Sequence, residues 1–392
     1  MPSVHEAADD PLVVAARGLA PRIRAVADQA EAERHLPTAL VDAMASAGLF
    51  RMCVPRTFGG GEVHAATMVC AIEEVAHADG SAGWCAMIAA TSGVLSAYLP
   101  DAMAAQIYGA TRDVVTGGVF APHGKAIAVD GGYRVSGRWA YGSGCQHCQW
   151  LMGGCVVVED GAPRLLPSGS PDSRLMLFPI SAAQIFDTWT VAGLRGTGSH
   201  DFAVENLFVP VERSASLITD VPRQSGPLYA FPVFGLLALG IAGVALGIAR
   251  GAIDAFTQLA GSKMPAGSRR RLAERPVIHM QVAEAEALLG AARAFLFDTV
   301  SQAWQAAVAQ GTIATTQRAR LRLAASHATV SAAKVVDLMY TAGGGTSIYA
   351  TSPLQRCFRD VHVVTQHMMV AQPTYELIGR VLLGIETDTS ML

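Results

Sequence analysis

The chain is poor in charge. Only 16% of its 392 residues are Asp, Glu, Lys or Arg, and the formal net charge is -3. That balance gives no global pull toward nucleic acid, and it excludes the disordered class, whose members are charged and short of apolar residues. Aromatic residues make up 7% against 51% hydrophobic residues overall, so aliphatic side chains and Ala must build a large core and extensive subunit interfaces. The one basic run, 268–275 (SRRRLAER), is short and reads as a solvated helix start or an anionic-ligand contact. Cysteine is sparse and odd in number: Cys53, Cys70, Cys85, Cys145, Cys148, Cys155 and Cys357. An odd count in a large chain predicts reduced thiols and a cytoplasmic protein. Cys145 and Cys148 flank Gln146-His147, but no second pair has matching spacing, so no metal is expected. The opening MPSVHEAADDPLVV lacks the basic-then-apolar order of a leader. The one long apolar run, 231–253, has a membrane span's length. Gly240, Gly243, Gly247 and Gly251 at helical spacing, with Arg250 near the end, predict a close-packed buried helix and no membrane contact.

Three blocks differ in pattern. Residues 1–111 read as an N-terminal helical domain, Ala-rich with apolar residues at three- and four-residue spacing and breaks at Pro37, Pro55 and Pro100. Residues 112–220 read as a central β domain. Short β-type runs alternate with Gly, Asp and Pro turns, and AVDGGYRVSG is a hairpin signal with Asp130-Gly131-Gly132 at the turn. Residues 221–392 return to helix, with long segments at 277–310, 315–342 and 373–383. The class is α+β, with the β block between helical parts.

Four segments carry more than composition. They are PRTFGGGEV (55–63) with IEEVAHADGSAGW (72–84), SGRWAYGSGCQHCQW (136–150), WTVAGLRGTGSHDFAVENLFVP (189–210) and TAGGGTSIYATSPLQRCFRDVH (341–362). Together, in this order and spacing, they resemble the acyl-CoA dehydrogenase superfamily over essentially the whole chain. The resemblance implies that family's fold: an N-terminal helical domain, a central β-barrel-like domain and a C-terminal four-helix bundle. In the dehydrogenases a stretch similar to RDVHVVTQHMMVAQPTYELIGRVLLG (359–384) ends in Tyr-Glu-Gly, whose Glu removes the substrate α-proton. Counted from Arg359-Asp360, that Glu falls at Met368, with His367 just before it. A thioether cannot remove a proton. A vacated base beside an imidazole looks like the flavin-dependent monooxygenase branch, and most like the oxygenase subunits of two-component aromatic hydroxylases, including the seco-steroid phenol hydroxylases.

The resemblance implies the site residues. Trp84 matches a Trp that contacts the flavin. Tyr141, Gly142 and Ser143 match a strand end whose Ser hydroxyl bonds the isoalloxazine edge. Lys263 sits where an Arg meets the flavin phosphate, keeping charge without the bidentate fork. Gly345 and Thr346 match a turn beneath the flavin, contributed by a neighbouring subunit. His367, beside Met368, matches the base. Two departures make the pocket less polar: Val119 and Phe120 stand where a Ser and a Tyr precede Ala121-Pro122, and Ser92 replaces a substrate-side His. Each residue also has an ordinary reading: Trp139 as a core aromatic, His147 as a packing or capping group, Glu376 as a subunit contact.

The implied activity is hydroxylation of a small-molecule aromatic or polycyclic (phenol- or indole-like) substrate through a flavin hydroperoxide. The protein would use O2 and diffusible reduced FMN or FAD from a separate flavin reductase, and would work as a homotetramer, a dimer of dimers. The alternatives are N-oxygenation of an amine or amino sugar, an acyl-CoA dehydrogenase with a displaced base, and a flavin-free structural paralogue.

Overall fold

The computed structural model describes residues 7–392 except Arg112; residues 1–6, part of the opening read above as no leader, lie outside the described residues. Helix α1 (Pro11–Glu33) starts at Asp10, whose carboxylate accepts the Leu12 N–H at 2.9 Å, satisfying a donor the helix cannot pair itself. Pro37 marks the start of α2 (Thr38–Ser46) rather than an end. Helices α3 (Ala65–Ala78) and α4 (Gly80–Ser92) are separated by one extended residue, Asp79, whose carboxylate accepts the Ala82 N–H at 2.9 Å and opens α4.

The strands are β1 (Thr116–Val129), β2 (Gly132–Gly142), β3 (Trp150–Glu159), β4 (Ala162–Pro163), β5 (Ser173–Pro179), β6 (Gln184–Phe186), β7 (His200–Pro210) and β8 (Ser214–Ala215). The expected hairpin joins β1 to β2, with Val129 opposite Gly132. The order is β6-β7-β2-β1-β3-β5-β8, with β4 on β3 and only β1–β3 parallel. The expected barrel-like domain is one sheet with an open pairing path, the short strands β6 and β8 lying at its opposite ends. Trp139 on β2 is buried. It stacks on Phe202 of β7 at 5.3 Å, meets Phe178 of β5 at 6.0 Å and donates its N–H to Gly154 O at 2.8 Å. Trp139 is therefore a core aromatic.

Four long or catalytically placed helices follow: α5 (Val233–Ser262), α6 (Pro276–Gln310), α7 (Thr315–Gly343) and α8 (Pro353–Val364), then the short α9 (Pro373–Leu382). Helix α5 has the length and apolarity of a membrane span, but most of that stretch is buried inside the fold. Its glycines explain why: a Cβ at Gly247 would stand 2.3 Å from Glu73 O, and one at Gly240 2.5 Å from Met87 Cγ. α5 thus lies backbone-close against α3 and α4. One buried core runs through all three sequence blocks, from Ile23 and Met68 through Trp139 and Phe202 to Leu246, Val336 and Val361. All seven cysteines are free.

Candidate active site

Ser143 follows directly on the end of β2, and the chain turns sharply to place it. Tyr141 takes a left-handed φ of 68°, an uncommon conformation for a bulky residue, and its carbonyl accepts the Ser143 N–H at 2.8 Å. Gly142 is required beside it, since a Cβ there would meet Phe202 at 2.7 Å and His200 O at 2.8 Å. The consequence is a split. The Ser143 side chain is buried, whereas Tyr141 is 72% exposed, edge-on to Trp189 at 6.3 Å.

Trp84, in the second turn of α4, donates its indole N–H to Ser143 Oγ at 2.9 Å. Ser143 Oγ lies 2.8 Å from Ser199 Oγ, which lies 2.7 Å from Thr197 Oγ1, and Thr197 Oγ1 donates to Leu194 O at 2.8 Å. The sequence reading did not single out Ser199 or Thr197. Both lie in the TGSH run before β7, and only the pairing of β7 with β2 brings them behind Ser143.

The Trp84 ring also packs on His367, 5.7 Å between centroids. Thus Trp84, Ser143 and His367 come from three distant segments into one place. His362 and His367 do not share a helix. Helix α8 stops at Val364, and His367 stands in the turn before α9. This placement frees its ring from helical phase. Its Nδ1 accepts the Met369 N–H at 3.2 Å, so in the neutral ring Nε2 carries the proton. Burial, with a smaller push from Arg322, lowers its pKa from 6.5 to about 4. Arg322 is itself buried. It donates through Nε and Nη2 to Met369 O at 3.2 and 2.9 Å and through Nη1 to Met391 O, and burial lowers its pKa to about 10. It pins the His367 turn to α7. Met368 is 62% exposed.

The remaining expected residues fall into two groups. Val119 and Phe120 lie half-buried on β1 just before a register break that ends at Gly124, with Phe120 edge-on to Phe234 at 6.3 Å. Ser92 Oγ is turned back to Ile88 O at 2.6 Å, so this wall is apolar. Lys263, Gly345 and Thr346 are elsewhere. Lys263 Nζ donates to Gly343 O at 2.7 Å at the C-terminal end of α7, where Gly345 and Thr346 form a 3-10 turn. Thr346 lines a cleft of about 260 Å³ with Leu259, Tyr349 and Pro353. From Arg322, which holds the His367 turn, to Gly343 the helix α7 runs on the order of 30 Å. One chain therefore keeps the two groups at opposite ends of a helix. His147 accepts the Leu36 N–H at Nε2, 3.2 Å, which is the capping role rather than a catalytic one. Glu376 is exposed in the first turn of α9.

The set fits a flat redox ring. Trp84 bridges a buried hydroxyl and a neutral imidazole, and the exposed Tyr141 ring stands two residues before that hydroxyl. Among the described residues no carboxylate hydrogen-bonds to Trp84, Tyr141, Ser143 or His367.

Comparison with known proteins agrees. The acyl-CoA dehydrogenase N-terminal domain matches residues 13–106, and the acyl-CoA dehydrogenase C-terminal domain matches 239–372. The fold class is that of the acyl-CoA dehydrogenases, with a sheet between two helical parts. The chain is 36% identical to the indole-3-acetate monooxygenase of Pseudomonas putida over 93% of its own length and 91% of that protein's. The structure of 3-HSA hydroxylase from Rhodococcus sp. RHA1 superposes with a TM-score of 0.91 at 28% identity, covering 98% of this chain and 100% of that one. XiaF from Streptomyces sp., solved in complex with FADH2 and glycerol, gives 0.89 at 25% identity, covering 97% and 98%. The chain belongs to the flavin-dependent monooxygenase branch of the acyl-CoA dehydrogenase superfamily.

Proposed function

We propose that this chain is the oxygenase component of a two-component system in the cytoplasm, hydroxylating an aromatic substrate of indole or phenol size. The observation that carries the reading is the exchange at 367–368. An exposed thioether stands where a dehydrogenase needs its base, and beside it a half-buried, neutral imidazole packs on Trp84. A reduced flavin, FMN or FAD, delivered by a separate reductase supplies the electrons that activate O2.

The chain's own groups do the rest. Trp84 and Tyr141 would flank the ring and Ser143 would meet its edge. Val119 and Phe120 keep the substrate side apolar, which excludes water and strengthens each remaining hydrogen bond. His367, with Nδ1 engaged by the Met369 N–H, would offer its Nε2–H to the reacting groups. It acts first as a hydrogen-bond donor, and it becomes a base only when its Nδ1 bond to Met369 is given up. The displaced-base dehydrogenase gains nothing from Glu376, which is exposed on another element.

Because Lys263, Gly345 and Thr346 sit at the far end of α7 from Ser143, one flavin meets both groups only when a second copy supplies one of them. This supports a homotetramer with shared sites. The testing experiment is oxygen stoichiometry. The protein should purify nearly colourless, bind dithionite-reduced FMN or FAD more tightly than the oxidised form, and consume one O2 per hydroxylated indole or phenol. Tightly held yellow FAD that bleaches with an acyl-CoA and no oxygen uptake would overturn the reading.

A further inference from the structure

The hydroxyl chain behind Ser143 has a direction, and the direction has a consequence for flavin redox state. Its two ends are chemically fixed: the Trp84 indole N–H only donates, and the Leu194 carbonyl only accepts. Between them stand three hydroxyls with one proton each. Thr197 spends its proton on Leu194 O at 2.8 Å. Ser199, 2.7 Å from Thr197 Oγ1, must then donate to Thr197. Ser143, 2.8 Å from Ser199 Oγ, must donate to Ser199. Ser143 already accepts from Trp84 at 2.9 Å. All protons point inward, and Ser143 keeps one lone pair and no free proton. The far end is rigid. Leu194 has a left-handed φ of 51°, and its N–H is held by the buried Asp360 Oδ1 of α8 at 2.6 Å.

We infer that Ser199 and Thr197 are positioning residues that make Ser143 an acceptor, so that the site favours reduced over oxidised flavin. The inference rests on the reading above that Ser143 meets the flavin edge. A reduced flavin carries a proton on N5 and donates it to the free lone pair. An oxidised flavin has a lone pair at N5 and needs a donor. Ser143 can donate only if all three hydroxyls reverse and Thr197 gives up Leu194 O, which keeps the Trp189 Nε1–H at 3.1 Å and the Thr197 N–H at 3.2 Å. Reversal costs the oxidised form one hydrogen bond, a preference of about threefold to tenfold for the reduced form.

The test is anaerobic titration of the whole protein with oxidised and with dithionite-reduced FMN and FAD, read as the ratio of the two dissociation constants. Ser199→Ala or Thr197→Val frees the Ser143 proton, so the ratio should fall about threefold to tenfold, mainly by tighter binding of the oxidised form. Ser199→Thr and Thr197→Ser keep the hydroxyls and should keep the ratio. If Ser143→Ala alters flavin binding while Ser199→Ala and Thr197→Val leave the ratio at its wild-type value, the relay is only packing and the inference is overturned. If Ser143→Ala changes neither affinity, Ser143 does not touch the flavin, and the underlying reading fails with it. Should Ser199→Ala not fold, Thr197→Val, nearly isosteric, decides alone.

Discussion

His367 shows how one residue's chemistry depends on where its backbone stops being helical. Because α8 ends at Val364, the ring is set by a turn whose carbonyl is pinned by Arg322 and whose next N–H is accepted by its own Nδ1. The ring therefore stays neutral down to about pH 4. We expect His367→Ala to keep oxidising reduced flavin in the presence of O2 but to release hydrogen peroxide instead of product. Product formation should fall on the order of a hundredfold to ten-thousandfold if the ring assists transfer. Between pH 5 and 8 the wild-type rate should show no limb that His367→Ala removes, since the group does not titrate there. A limb near 6.5 lost in the variant would show that the ring regains its ordinary pKa and acts as a conventional base. Unchanged coupling in the variant would reduce His367 to packing.

At the scale of elements, the contact that places Trp84 is between helix backbones. α5 approaches α3 so closely that Gly247 faces Glu73 O and Ala76 Cβ, at 2.3 and 2.7 Å from where a Cβ would be. α3 leads through Asp79 directly into α4, which carries Trp84. Gly247→Ala cannot be absorbed by a side-chain rotation, because the obstructing atom is backbone. It should cost about 1–3 kcal/mol or more by urea denaturation and weaken flavin binding by shifting α4. Gly18, exposed in α1 with nothing within 4 Å of its Cβ position, is the control. Gly18→Ala should stabilise by up to about 1 kcal/mol, because Ala loses less backbone entropy in a helix. Equal effects at the two positions would show that helix propensity, not close approach, governs α5.

Across the whole molecule, the length of α7 separates two parts of the site. The Ser143–His367 group and the Lys263–Thr346 group sit at opposite ends of α7, so a flavin that met both groups would draw on more than one copy, as the proposed homotetramer provides. Light scattering should give four times the 41.0 kDa chain mass. A sharper check is complementation. His367→Ala and Lys263→Glu, each inactive alone, should regain part of the hydroxylation when mixed subunits are dissociated and reassembled, because some sites then draw both intact groups from different chains. Mixed assemblies with no more activity than either parent would place the whole site within one subunit.

The amino-acid sequence by itself determined the block order, the hairpin at Asp130-Gly131, the burial of the 231–253 run and the loss of a carboxylate at Met368. The first three are local or periodic, set by turn chemistry and the spacing of small residues; the last is legible only through the resemblance of 359–384 to the dehydrogenases. It also singled out Trp84, Ser143 and His367, through motifs whose order survives in the chain. Only the tertiary structure decided that Trp84 touches both of the others. The contacts join α4, the end of β2 and a turn after α8, and no spacing encodes pairings between segments so distant. The same holds for Ser199 and Thr197, which reach Ser143 through β2–β7 pairing, and for Arg322, an ordinary helical arginine until α8 and the C-terminal segment fold against it. The open sheet, the turn that takes His367 off the helix and the helix-length separation of Lys263 from Ser143 follow from packing around one shared core.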